Sequence, residues 1–262
     1  MSIPSVKQKN EPNALCKLLA NAIGKAIFPS RCAGCRTWNE ALFCSECQKH
    51  LNLISNPLCF CCGKPFDMAA QVLPQSVCAD CRANRYHSAP PLTMRRAPMD
   101  FSEPVRHAVY ALKYQGKTAL AGPIAALLWE RAGADAVPEI WADTQLLVPV
   151  PLHPYRQWRR GYNQSELLAK ELSRLSGRPI AQLLQRSRYT RPQIELGDKE
   201  RAQNVKGAFN LHEGNWKRYG TAKKVLLIDD VATTGATLNE CARVLKAAGV
   251  ENVYALTLAR RD

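Results

Sequence analysis

Eight cysteines fall into four Cys-x-x-Cys pairs: Cys32/Cys35, Cys44/Cys47, Cys59/Cys62 and Cys78/Cys81. A tight turn of this kind presents two thiolates together, and two such knuckles supply the four ligands of a tetrahedral zinc site. Gaps of eight and fifteen residues leave room for a short hairpin that returns the second knuckle to the first. The spacing predicts two closed, structural Zn²⁺ sites, with no coordination position left for catalysis. Redox cysteine chemistry and an iron–sulfur cluster are the alternatives this spacing leaves open. Gly34 and Gly63 lie inside or just after a knuckle, where a positive φ is often needed. Cys16, Cys61 and Cys241 stand outside the pairs and are read as free, partly buried thiols.

A second string carries different chemistry: Val225-Leu-Leu-Ile-Asp229-Asp230-Val231-Ala232-Thr233-Thr234-Gly235-Ala236-Thr237. Four apolar residues make a buried strand, two carboxylates stand at its carboxyl end, and a loop of small and hydroxyl residues opens a helix. Ligands of open α/β sheets bind at that end of the strands. Loop amides, threonine hydroxyls and a helix N-terminus suit a phosphate, and adjacent carboxylates suit ribose hydroxyls or hydrated Mg²⁺. The string is neither the triphosphatase nor the dinucleotide glycine pattern.

A third string, from Val148 to Ser165, reads as a strand end followed by a loop dense in arginine and then a helix. Arg156, Arg159 and Arg160 could bind an anionic ligand, contact nucleic acid or form a solvated helix entrance. Trp158 is read as packing in preference to a base-stacking platform. His107, His153 and His212 have no spaced partners and are read as ordinary surface or core histidines. Arg188 to Gln193 and Arg201 to Phe209 form a polar, basic stretch, a lid or appended hood over a charged ligand.

The elements that must position these strings follow from periodicity. Residues 14–28 show one amphipathic helix, which packs on its own protein or, in the alternative reading, lies on a membrane surface or a partner. Prolines between 88 and 104 indicate a linker or a strand near 92–100. Helical patterns fall near 103–113, 118–132 and 163–176, and apolar strand runs at 145–150, 225–229 and 252–258. The last strand, helix (Thr237 to Ala248) and strand form a βαβ unit, so the expected class is α/β, a parallel sheet flanked by helices.

The carboxylate string resembles the 5-phosphoribosyl-1-pyrophosphate (PRPP) loop of type I phosphoribosyltransferases. That resemblance implies that Asp229 and Asp230 are catalytic and engage the ribose hydroxyls, while the loop from Val231 through Ala232, Thr233, Thr234, Gly235 and Ala236 to Thr237 wraps the 5-phosphate. Taken with the cysteine pairs, the Arg-Gly-Tyr-Asn-Gln-Ser string at 160–165 and the Gln193…Arg201…Asn204…Gly207-Ala-Phe209 string, the chain resembles the ComF family over roughly residues 30 to 260. The family implies a type I phosphoribosyltransferase-like domain at 88–262, with a hood at about 179–220. A double zinc ribbon at 31–87 and an N-terminal helix at 1–30 precede it. It places the pyrophosphate loop around Arg156 to Gln164, with Arg188, Gln193 and Arg201 in the hood. It implies PRPP with Mg²⁺ as ligand, a role in natural competence and the handling of single-stranded DNA, and competence or DNA-processing proteins as partners. A non-catalytic DNA-binding adaptor and a PRPP sensor are the readings that compete with turnover.

Composition narrows the setting. With 46% hydrophobic residues the 262-residue chain can build a core. It has neither a transmembrane-length apolar run nor an export-type apolar segment in its first 30 residues, so a reducing, cytoplasmic location is expected. Of the +14 formal charge, residues 156–224 hold 16 basic and 6 acidic residues. Two Zn²⁺ bound to eight thiolates would lower the total to about +10, all of it in that segment. The charge therefore marks one region as the place for a polyanion.

Overall fold

The computed structural model describes residues 31–66, 73, 75–87, 91–190 and 197–261. The helix expected at 14–28, Cys16 and Gln193 lie outside them. The elements in chain order are α1 (Ser45–Lys49), α2 (Ala79–His87), β1 (Met94–Arg96), β2 (Met99–Asp100), α3 (Val105–Tyr114), α4 (Ala121–Ala132), α5 (Pro138–Trp141) and β3 (Leu146–Pro149). There follow α6 (Pro154–Arg160), α7 (Gln164–Ser176), β4 (Leu184–Arg186), α8 (Asp198–Val205), β5 (Phe209–Leu211), α9 (Glu213–Tyr219), β6 (Lys224–Ala232), α10 (Ala236–Ala247) and β7 (Asn252–Arg260).

The apolar runs have no alternating polar face because their strands are covered on both sides. They form a parallel sheet in the order β1-β7-β6-β3, with β2 continuing the β1 edge along β7. Successive side chains of β6 point to opposite faces. Leu226 and Ile228 join Leu256 and Leu258 in a core completed by α3, α4 and α7. Val225 and Leu227 join Val253 and Ala255 on the other face, under α10 and the hood. The expected α/β class with helices on both faces is what forms.

Three sequence expectations change. Strand β6 runs past the carboxylates to Ala232, because its pairing with β7 continues through Asp229↔Thr257 to Ala232↔Arg260. The arginine-rich segment is not an open loop but the short helix α6. His153 accepts from the Tyr155 amide at its start, Pro154 supplies the first helical φ, and Gly161 at φ +82° closes the end. The hood is built from the antiparallel pair β4–β5, with α8 packed on α10 and α9 following β5, elements too short to show a period.

The two cysteine segments dock differently. Cys32, Ala33 and Phe43 belong to the main core, with α3 beside them. His107 Nδ1 on α3 bonds the Gly34 carbonyl at 3.0 Å. The second segment has its own small cluster of Cys59, Cys61 and Cys78, with Phe60, Phe66 and Val77 packed on it. It reaches the sheet through Phe60, which also packs on the main core, and through polar contacts: the Arg95 amide donates to Cys61 O at 2.7 Å, and Arg96 Nη1 donates to Phe60 O at 3.0 Å. In both segments the second knuckle lies where a helix opens, at α1 and at α2. Gly63 does have positive φ, but Gly34 does not; in the first segment that conformation falls on Arg36 at φ +67°. Gly34 is needed for space, since a Cβ would lie 2.8 Å from Cys47 Sγ and from Pro104 Cβ.

Candidate functional site

Each cysteine quartet brings its four Sγ atoms within 4.8 Å of one another. Cys35 and Cys44 Sγ are 3.6 Å apart, and Cys62 and Cys78 Sγ 3.7 Å. A zinc–sulfur bond of about 2.3 Å implies tetrahedral S···S edges of about 3.8 Å, so the spacing fits the metal. Backbone amides of Cys44 and Cys78 point at Cys32 Sγ and Cys59 Sγ, both at 3.3 Å, as they would at thiolates. Cys61 and Cys241 are buried outside the quartets. Enclosure pushes the Cys241 thiol well above its ordinary value, which keeps it inert.

The carboxylates lie at the floor of a cavity of about 530 Å³ at the carboxyl end of β6. Ser165 Oγ donates to Asp229 Oδ1 at 2.7 Å, and the Asp230 amide donates to the same oxygen at 2.9 Å. Asp230, 2% exposed, is held by Lys113 Nζ at 2.5 Å and by Gln164 Nε2 at 3.4 Å. Both Gln164 and Ser165 open α7, whose cap is Asn163: its side chain accepts from the Ser165 amide and donates to Val150 O at 3.0 Å. The Asn-Gln-Ser part of the string thus positions the acidic pair, while its arginines face the cavity.

These neighbours split the two carboxyls. Desolvation and the charge of Asp230 push Asp229 up to about 7. Burial would raise Asp230 as well, but the Lys113 ammonium holds it below the ordinary carboxylate value. Lys113 keeps 23% of its side-chain surface and is itself raised: burial works against its charge, and the Asp230 carboxylate outweighs that. One carboxylate is neutralised by a resident cation, and the other is free to change state near neutrality.

Arg156, Arg159, Arg160, Arg186, Arg201 and Arg261 line the walls. Arg156 donates to Thr190 O at 2.7 Å and lies 5.2 Å from the Tyr189 ring centre, tying α6 to the hood. Arg160 bonds Gln164 and packs on Tyr114. Arg186 is 7% exposed, bonds Thr190 Oγ1, and is lowered to about 10 by burial and by Arg156. Val231, Ala232, Thr233, Gly235, Ala236 and Thr237 line the remaining side, under the N-terminus of the twelve-residue α10. Thr234 is turned to solvent, where its Oγ1 accepts from the Ala236 amide. Arg188 donates to the carbonyls of Asn204 and Lys206 and so braces the hood.

Lys113, Ser165 and Arg186 were not singled out by the sequence reading, and Gln164 only as part of a loop. They come to the site from α3, α7 and β4. The expectation that Trp158 packs is corrected: it is 78% exposed on α6, with Tyr155 and Tyr189 exposed beside it. An outward-facing position on a seven-residue helix leaves it only the exposed Tyr155 ring nearby, 6.2 Å away, and no core to enter. All three histidines take structural roles: His153 and His212 cap helices and His107 joins α3 to the first cysteine segment.

Residues 23–84 match the double zinc ribbon domain family, and residues 159–262 match the phosphoribosyl transferase domain family. The chain is 33% identical over 244 residues to competence protein F of Haemophilus influenzae, covering 89% of this chain and 98% of that protein. It is 28% identical over 234 residues to DNA utilization protein YhgH of Escherichia coli strain K12, covering 83% and 96%. It is 28% identical over 261 residues to competence protein ComFC of Bacillus subtilis, covering 92% and 100%.

Proposed function

Since the chain belongs to the ComF family of competence proteins, with a double zinc ribbon and a phosphoribosyltransferase-like domain in one chain, we propose that its cavity binds PRPP together with Mg²⁺. The observation that carries this reading is the opposition of charge inside one cavity: an acidic pair on the floor, arginines on the walls and a helix N-terminus at one side. The loop from Thr233 to Thr237 and the first turn of α10 take the 5-phosphate. Asp229 and Asp230 accept from the ribose hydroxyls. Arg156, Arg159, Arg160 and Arg201 face the pyrophosphate and stabilise negative charge as it departs. Adjacent carboxylates beside a phosphate site are the hard-oxygen donors that suit hydrated Mg²⁺, which would neutralise the pyrophosphate. Positioning and charge stabilisation suffice for such transfer, so no nucleophilic side chain is required. Calorimetric titration of PRPP with Mg²⁺ should give a saturable isotherm that disappears in Asp229→Asn/Asp230→Asn with zinc content retained. An unchanged isotherm in that variant would remove the carboxylates from the assignment.

A second reading is supported by the rim. Exposed Trp158, Tyr155 and Tyr189 stand among Arg156, Arg159 and Arg160, the pairing of aromatic faces with cations that suits single-stranded DNA. The two readings are compatible, with PRPP in the cavity and DNA across its mouth. DNA binding that weakens steeply with salt supports the second; binding indifferent to salt rules it out.

A further inference from the structure

Arg95 touches both the second cysteine segment and the loop that follows the carboxylates. It lies in β1, paired with Ala255 of β7, and is 7% exposed. Its amide donates to Cys61 O at 2.7 Å, and its Nε donates to Cys62 O at 3.4 Å. Arg260, at the end of β7, donates Nη1 to that same Cys62 carbonyl at 3.2 Å. A Cβ at Gly63 would stand 2.8 Å from Arg95 O, so this knuckle is pressed against the β1 backbone.

The other end of the side chain reaches the functional site. A Cβ at Gly235 would stand 2.1 Å from Arg95 Nη1, so the guanidinium fills the space directly against that glycine. Gly235 has φ +79° and caps α10. No other residue could hold that backbone shape and admit the guanidinium. One buried side chain therefore fixes the spacing between the Cys62 knuckle and the turn that aims the α10 amides into the cavity. It also places a permanent positive charge behind that turn.

We infer that Arg95 is a positioning residue that couples the second zinc quartet to the phosphate loop, so that metal at Cys59, Cys62, Cys78 and Cys81 and phosphate at Thr233 to Thr237 stabilise one another. The inference rests on the reading of that loop as a phosphate site. The reciprocity is thermodynamic: whatever factor zinc contributes to phosphate affinity, phosphate must contribute to zinc affinity. The first quartet has no such contact with the loop among the described residues, so its metal is indifferent to the ligand.

The test uses the full zinc-loaded chain and ribose 5-phosphate as probe. Zinc release to a chromophoric chelator is followed with and without saturating probe. One of the two release phases should slow by about tenfold, within the usual range of site-to-site coupling, while the other stays unchanged. In Arg95→Ala and Arg95→Lys that selective slowing should vanish and probe affinity should fall by about tenfold, because lysine keeps the charge but cannot span both contacts. Two phases slowed equally, as general stabilisation by a ligand would give, overturn the coupling. So do two unaffected phases, or wild-type affinity in both Arg95 variants. If the Arg95 variants fail to fold, the wild-type release experiment alone decides. A wild-type chain that does not bind ribose 5-phosphate removes the phosphate site itself and the coupling with it; a chain that binds it without selective slowing loses only the coupling.

Discussion

The cysteine quartets and the anion cavity are both clusters of charge, but they are held in opposite ways. Each quartet is closed: four thiolates point at one another, all ligands come from within 23 residues, and nothing is left to meet a substrate. The cavity is open, and its groups come from α3, α6, α7, the hood and β6, with arginines on its walls and two carboxylates on its floor. A closed cluster returns its cost as fold stability when the metal binds. An open cluster rich in arginine keeps a net positive charge that a bound anion would offset. The first suits a structural metal, and the second suits the binding role proposed for it.

The comparison can be broken most forcefully from the zinc side. Cys32→Ser removes a ligand and also disturbs the main core that contains Cys32, so it should cost several kcal/mol and abolish a cooperative thermal transition at growth temperature. Cys59→Ser should release one zinc but leave the sheet domain folded, since its cluster is separate. Circular dichroism and metal analysis of the two variants distinguish them, and equal damage would contradict the different docking. Next in size is the buried pair: Lys113→Met leaves Asp230 without its cation and should destabilise by about 2–3 kcal/mol, discounted for the exposed part of the lysine. Adding Asp230→Asn should recover part of that loss in denaturant titrations.

Smaller effects belong to the open side and should spare stability. Arg159→Ala should weaken PRPP binding by roughly tenfold, about 1.4 kcal/mol, with a melting temperature shift within a degree or two. Trp158→Ala should cost about 1–2 kcal/mol in single-stranded DNA binding and leave the melting curve in place. The smallest effect is in pH. Asp229 is protonated below about 7 and charged above it, and cations favour the charged form. Mg²⁺-dependent PRPP binding should therefore tighten as pH rises from 6 to 8 by more than the ligand's own phosphate ionisation near pH 6 accounts for, which is all the change that a carboxylate of ordinary acidity would leave.

What could be read from sequence divides along the same line. The quartets, the loop after the carboxylates and the long apolar elements are local patterns, carried by residues a few positions apart. The place of Asp229 and Asp230 at the end of a buried strand was legible because their strand, loop and helix are contiguous. Lys113, Arg186 and Arg95 were not, because their roles depend on which strands become neighbours. Ser165 was quoted in the right string, yet only its place at the opening of α7 shows that it faces Asp229. Trp158 was misjudged because side-chain type indicates what a residue prefers, not which way a short helix turns it.

The strand order has a kinetic consequence. Strand β7 lies between β1 and β6, so residues near 95 find their partners only at residues near 255, some 160 positions later. Closing so long a loop is entropically slow, and the sheet cannot assemble until the last strand has been synthesised. The cysteine knuckles, by contrast, can close as soon as they emerge. During synthesis the chain therefore passes through a period in which its knuckles are closed while the core that receives the first of them is unbuilt and the strand around Arg95 exposes an edge with no partner. That edge is the place where aggregation would begin and where a chaperone would be of use.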